Sequence, residues 1–150
     1  MKPLKLFEEY LKIGVVKKIK VDFNRAKSLI LNSERKINSL NEKLEKIGVR
    51  DDNANEYLEN CYDSIMLLIR AKLFLEGYNS SGVNAHEAEV SYMRNLGFSE
   101  NDTLFMNQLR YFRNGMLYYG IQLDKEYAEK VINFTKKLYT KLKNIVNKLK

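Results

Sequence analysis

The residues best suited to chemistry lie close together near position 110 of the chain. Arg110 and Arg113 are followed by Asn114 and Tyr118. At about 100° per residue, a helix over this segment places the four side chains on one arc of its surface. A guanidinium binds phosphate oxygens through two parallel hydrogen bonds and stays charged at any working pH. Two arginines three positions apart repel each other unless an anion lies between them, so we predict that this arc is the working surface.

The other two members of the arc would add hydrogen bonding and stacking. Asn114 is a mediocre helix former, so a hydrogen bond to a ligand or across a dimer axis would explain its presence. Tyr118 could stack on a base or hydrogen-bond a phosphate. The alternative for all four residues is an ordinary helix surface, with the arginines satisfied by solvent or by acidic side chains.

Two residues elsewhere in the sequence could complete such a site. His86 is the sole histidine, and imidazole is the side chain best suited to exchanging a proton near neutral pH. It opens a predicted short helix, where a structural role is the alternative. Asp63 lies on the predicted central helix, where it could orient an arginine of the arc or remain an exposed acid.

The cysteine and histidine counts argue against metal and disulfide chemistry. Cys61 is the only cysteine, so no disulfide can form within the chain, and a Cys/His zinc site is not expected. Cys61 falls in an apolar helical pattern, which predicts a buried and unreactive thiol. We expect no metal and no cofactor. No apolar run approaches the length of a membrane span and no signal peptide is visible, so we expect a cytoplasmic protein that does not contact a membrane.

Charge is distributed unevenly along the chain. The net charge of +7 divides into +7 for residues 1–50, −6 for residues 51–100 and +6 for residues 101–150. Basic ends around an acidic middle suit a polyanion or a partner chain of complementary charge. Lysine-rich helix faces that only keep the protein soluble are the alternative.

Capping residues and apolar spacing predict an all-α protein. No window combines β-branched residues with period-two alternation, and the only proline is Pro3. Asp22, Ser99 and Asp124 are predicted N-caps, and glycines end most of the helices. The segment 78–85 is rich in turn formers and predicts a loop. The predicted helices cover residues 3–12, 23–47, 52–76, 86–96, 100–119 and 125–149.

The apolar residues of the long helices recur at steps of three and four, which predicts one buried stripe on each. On the first long helix the stripe is Phe23, Ala26, Ile30, Ser33, Ile37, Leu40, Leu44 and Ile47. On the helix with the arginines it is Phe105, Leu109, Phe112, Met116 and Tyr119. On the last helix it is Ala128, Val131, Thr135, Leu138, Leu142, Ile145 and Leu149. The helix over 52–76 has two adjacent apolar rows, so it should be the central helix of a single-domain antiparallel bundle of four or five helices over residues 1–150. A coiled-coil assembly module is the rival interpretation.

The order of several fragments resembles the HEPN family, the higher-eukaryote-and-prokaryote nucleotide-binding domains, in their small stand-alone prokaryotic form. The fragments are residues 11–20, 23–30, 61–66, 70–71, 76–78, His86 and 110–118. The resemblance implies a helical bundle that forms a homodimer and often works beside a nucleotidyltransferase in toxin–antitoxin pairs. Many members are metal-independent ribonucleases. Their signature is an arginine, commonly followed by a polar residue, and a histidine that is separated from the arginine by four to six residues. On this chain the signature falls on Arg113, Asn114 and Tyr118, with tyrosine in the histidine position.

The leading hypothesis is a homodimer that binds RNA or a nucleotide through Arg110, Arg113, Asn114 and Tyr118, with His86 as a further contact. One alternative is an active ribonuclease toxin, in which Arg113, Asn114 and Tyr118 would be catalytic. Another is a module that only docks a nucleotidyltransferase. Because a tyrosine exchanges its proton poorly at neutral pH, ribonuclease activity is expected to be weak or absent.

Overall fold

The predicted all-α bundle is confirmed by the computed structural model, which describes residues 2–148. Within these residues the helices are α1 Phe7–Lys12, α2 Phe23–Lys46, α3 Ala54–Leu75, α4 Ala85–Ser91, α5 Glu100–Tyr118 and α6 Lys125–Asn147. A single 3-10 turn, Asp51–Asn53, leads into α3, and two three-residue strands, β1 Val16–Lys18 and β2 Tyr78–Ser80, form a small sheet. None of the helices in this range is long and apolar enough to cross a membrane.

The third helix is the centre of the bundle, as its two apolar rows predicted. It packs against α2, α4, α5 and α6, because apolar side chains cover a wide arc of its surface. Both rows are buried almost throughout: Ala54, Leu58, Cys61, Ile65 and Leu68 in one, and Tyr62, Met66, Ile69 and Leu73 in the other. The candidate site is built where one edge of α3 meets α4 and α5.

Three helix starts are fixed by the predicted N-caps. The side chains of Asp22, Ser99 and Asp124 each accept a hydrogen bond from the backbone N–H three residues further on. Such a cap satisfies one of the four amide groups that a helix leaves unpaired at its start and stabilises the helix by about 1 kcal/mol.

The ends of several predicted segments are wrong. The first helix begins at Phe7 rather than near Pro3. Phe23 is exposed because it borders an open groove beside α3 and α6. Ile47 is exposed because it lies past the last helical residue of α2 and leaves the phase of the stripe. The predicted stripe position Leu149 lies outside the described residues.

The small sheet was not predicted. Its strands pair antiparallel, with Val16 opposite Ser80 and Lys18 opposite Tyr78. The segment expected to be a loop from residue 78 therefore begins as a strand. The pairing joins residues far apart in sequence, so neither three-residue strand carries a local signal of its own. The strand pairing anchors the start of the segment that leads to His86.

The buried face of α5 differs from the predicted stripe. Tyr119 is 84% exposed, because the helix ends at Tyr118 and the chain then turns away. Phe105 and Phe112 are only half-buried and pack edge-on against aromatic rings of α6. Leu109 is fully buried as predicted, but the other fully buried positions of α5 are Thr103, Met106, Asn107 and Gly115. The helix is thus rotated relative to the prediction, and this rotation turns its arginines toward α3 and α4.

Candidate functional site

Arg113 is held by Asp63 across the α3–α5 interface. Its Nε atom donates to Oδ1 at 3.0 Å and one Nη donates to Oδ2 at 3.4 Å. Partial burial alone would lower the pKa of Arg113, but the hydrogen bond and charge of Asp63 outweigh it and raise the pKa. Of the two alternatives left open for Asp63, the structure shows the contact with an arginine of the arc.

Arg110 lies one turn earlier and is held toward α4. Its Nε donates to the side-chain oxygen of Asn107 at 2.9 Å, and its Nη2 lies 3.5 Å from a carboxylate oxygen of Glu87. The other oxygen of Glu87 accepts a hydrogen bond from the hydroxyl of Tyr10 at 3.3 Å. Burial and the neighbouring Glu87 both raise the pKa of Tyr10. The first helix of the chain therefore supports the position of Arg110.

His86 stands between two cavities. The first, of about 260 Å³, is called the Arg113 cavity, and its polar lining is Asn32, Lys36, Tyr62, Asp63, Arg70, His86 and Arg113. The second, of about 470 Å³, is called the Arg110 cavity, and its lining includes Asn84, His86, Glu87, Arg110 and Asn114. His86 is exposed on the first turn of α4. Its imidazole is thus open to solvent and shares one cavity with Arg113 and the other with Arg110.

The structure brings four of the five predicted site residues together. Arg110, Asn114 and His86 line one cavity, and Arg113 joins His86 in the other. Tyr118 does not belong to the lining of either cavity and is 76% exposed. It is the last residue of α5, one turn beyond Asn114. A ligand in the cavities would therefore have to extend along α5 to meet it.

A partly buried ion pair that holds Arg70 in the wall of the Arg113 cavity was missed by the sequence analysis. Arg70 donates from Nε and Nη2 to the two carboxylate oxygens of Glu89, both at 2.9 Å. Ser80 of β2 donates to the same carboxylate at 2.7 Å. The hydrogen bond to Glu89 raises the pKa of Arg70. Arg70 lies seven positions after Asp63 on α3, so helical spacing could have placed it in the site. No pattern in the neighbouring sequence identifies Glu89 as the partner of Arg70.

Cations slightly outnumber anions around the two cavities. Four cations, Lys36, Arg70, Arg110 and Arg113, lie near three acids, Asp63, Glu87 and Glu89. The acids hold the guanidinium groups in place. Lys36 adds a positive charge, and His86 adds an imidazole. Such a set can bind an anion with several oxygens. In the described part of the chain, no group of three or more His, Cys, Asp or Glu residues is placed to hold a metal ion.

The fold and the cavities define a helical-bundle protein with an arginine–histidine site at one edge of its central helix. No protein-family model matches the chain, and no curated protein matches it either.

Proposed function

We propose that this protein is a HEPN-like homodimer that binds RNA or a nucleotide at the Arg110 and Arg113 cavities. The observation that carries the proposal is the position of Arg113, which Asp63 holds in the wall of a cavity shared with His86. An arginine held by a carboxylate loses less side-chain entropy on binding phosphate than a free arginine does. Asp63 occupies Nε and Nη2 of Arg113, and Nη1 makes no hydrogen bond to another residue within positions 2–148.

The exposed surface of α5 supports the dimer. Leu104, Tyr111 and Tyr118 are exposed at seven-residue intervals on one face of the helix, which is a spacing that suits helix pairing. Pairing two copies through this face about a two-fold axis would set the two α5 helices side by side. A stable interface of this kind buries at least about 1,000 Å². Sedimentation of the wild type and of Tyr111→Glu should show a dimer and a monomer respectively, and a monomeric wild type at micromolar concentration contradicts this part of the proposal.

RNA binding at varied salt tests the central claim. Arg113→Ala should weaken binding and reduce the slope of log affinity against log salt by about one unit, because one phosphate contact is lost. Arg35→Ala is the matched control, since Arg35 is an exposed arginine of α2 that lines neither cavity. Equal effects of the two substitutions would show that RNA is held by general surface charge and not at this site.

Ribonuclease activity is a second candidate, and the position of His86 favours it. An imidazole in the same cavity as Arg113 could take the proton of a ribose 2′-hydroxyl and return a proton to the leaving 5′-oxygen. Arg113 would stabilise the negative charge that develops on the non-bridging phosphate oxygens. In that case His86→Gln should abolish cleavage of total RNA while Tyr118→Phe leaves it unchanged. If Tyr118→His creates cleavage that the wild type lacks, the tyrosine and not His86 occupies the catalytic position.

Docking of a nucleotidyltransferase remains the alternative to RNA binding. The exposed apolar face of α5 and the basic face of α6 would then form the contact. Unchanged RNA binding in the double variant Arg110→Ala/Arg113→Ala would favour this alternative, because both cavities would have lost their principal cation.

A further inference from the structure

One buried polar group in the site has no hydrogen-bond partner among residues 2–148. Tyr62 is only 2% exposed, and its hydroxyl makes no hydrogen bond within the described residues. It is the only buried side-chain oxygen or nitrogen in that range with this property. An unpaired buried hydroxyl destabilises a fold, because it has lost water and gained nothing in return. A group of this kind is therefore a candidate for a ligand contact.

The surroundings of the hydroxyl point to an anionic ligand. Tyr62 belongs to the wall of the Arg113 cavity, as do Lys36, Arg70 and Arg113. Arg70 and Arg113 are held in the same way, each donating Nε and Nη2 to a carboxylate. Each guanidinium thus keeps Nη1, for which no hydrogen bond is found within residues 2–148. A phenol hydroxyl is a good donor to a phosphate oxygen, so the wall combines one unpaired donor with three cations.

The acids in this wall are already engaged. Asp63 is paired with Arg113, and Glu89 with Arg70 and Ser80. Their charges offset two of the three cations, so the positive charge of Lys36 remains in excess. A phosphate monoester carries a charge of about −1.5 to −2 at neutral pH, against −1 for an internal phosphodiester. The excess charge therefore favours the monoester.

The size of the cavity limits what else can enter. At about 260 Å³ it lies below the range of about 300–1,000 Å³ that is usual for pockets that enclose drug-sized ligands. A phosphate group with little attached fits this volume, whereas the phosphate of an internal strand segment carries a nucleotide on each side.

We propose that the Arg113 cavity binds a terminal phosphate monoester, with the Tyr62 hydroxyl and the Nη1 groups of Arg70 and Arg113 as donors to its oxygens. The inference rests on the proposed function and narrows it from RNA or nucleotide in general to a phosphorylated end. That end could belong to an RNA strand or to a free mononucleotide, since both present the same group.

Binding of matched oligonucleotides tests the inference. The probes are one short RNA sequence with a 5′-phosphate, a 3′-phosphate or hydroxyls at both ends, together with adenosine 5′-monophosphate. The wild type should bind a phosphorylated strand about tenfold or more tightly than the unphosphorylated one, as expected for charge-assisted hydrogen bonds. Binding of the mononucleotide as well would identify a free nucleotide as a ligand, and binding of strands alone would identify an RNA end.

Tyr62→Phe separates a ligand contact from a structural role. It should remove most of the preference for phosphorylated ends and leave the melting temperature unchanged or higher, because it deletes an unpaired group. Tyr57→Phe on the same helix is the matched control. The hydroxyl of Tyr57 donates to a backbone carbonyl at 2.9 Å, so its loss should lower stability and leave the preference intact. Lys36→Ala, on a half-buried surface position, should also reduce the preference.

Three results would overturn the inference. Equal binding of phosphorylated and unphosphorylated strands refutes it and leaves the proposed function standing. A full preference in Tyr62→Phe, with a lowered melting temperature, would show that the hydroxyl serves the fold. Failure of every probe to bind would refute the inference and the proposed function together.

Discussion

The ion pair between Arg113 and Asp63 can be measured against a control pair in the same molecule. Its two side chains are 26% and 30% exposed, and the shorter of its two contacts is 3.0 Å. Fully exposed pairs contribute about 0.2–1 kcal/mol, whereas breaking a buried pair costs about 3–5 kcal/mol. An intermediate exposure with one good and one long hydrogen bond gives an expected coupling of about 1.5 kcal/mol.

A double-mutant cycle with Arg113→Ala and Asp63→Ala, followed by urea unfolding, gives this coupling directly. At about 2–4 °C per kcal/mol for a chain of this size, it corresponds to a melting-temperature difference of about 3–6 °C. The control pair is Lys46 and Glu42, which are 68% and 64% exposed on α2 and should couple by about 0.3–0.5 kcal/mol. A coupling at the site no larger than that of the control would show that Asp63 does not hold Arg113 in solution.

Three further outcomes are expected. Burial raises the pKa of the Cys61 thiol to about 11, so the folded state keeps a proton that the unfolded chain releases near pH 8.5. The free energy of unfolding should therefore fall above that pH by up to about 1.4 kcal/mol per pH unit. Cys61→Ala should remove this contribution to the pH dependence, which urea titrations at pH 8 and 10 would measure. Ser33→Ala should cost about 1–3 kcal/mol in urea unfolding, because Ser33 bonds the Ser64 carbonyl at 2.6 Å and the Tyr139 hydroxyl at 2.9 Å; exposed Ser39→Ala should be neutral. Asp124→Ala should cost about 1 kcal/mol by the same measurement and Asp124→Asn much less, since only the latter keeps an acceptor for the backbone N–H of Tyr127.

Features of the fold that depend on neighbours in sequence could be predicted. The caps at Asp22, Ser99 and Asp124 need only a side chain three residues from an unpaired amide. The two apolar rows of α3 show in its sequence that it packs on several sides. The β1–β2 pairing and the exposure of Tyr119 depend on how distant segments meet, and no local pattern records that.

The candidate site likewise combines features that the local sequence predicts with features that depend on packing. Asp63 could be matched with an arginine because the two residues carry opposite charges and lie on two predicted amphipathic helices. The missing partner of the Tyr62 hydroxyl could not be predicted, since Tyr62 lies in an apolar row and resembles any core tyrosine. Its significance depends on which groups surround it after packing. The grouping of His86 with Arg113 likewise depends on how α4 docks.

The contacts that build the site join residues far apart in the chain. Arg113 and Asp63 are separated by 50 positions, and Tyr10 and Glu87 by 77. Closing such long loops carries an entropic cost that local helix formation does not. The helices should therefore form well before the cavities during refolding. The phosphate binding that we propose should appear only in the last kinetic phase, when α1, α3, α4 and α5 have docked, so a partly folded chain would be helical but would lack the site.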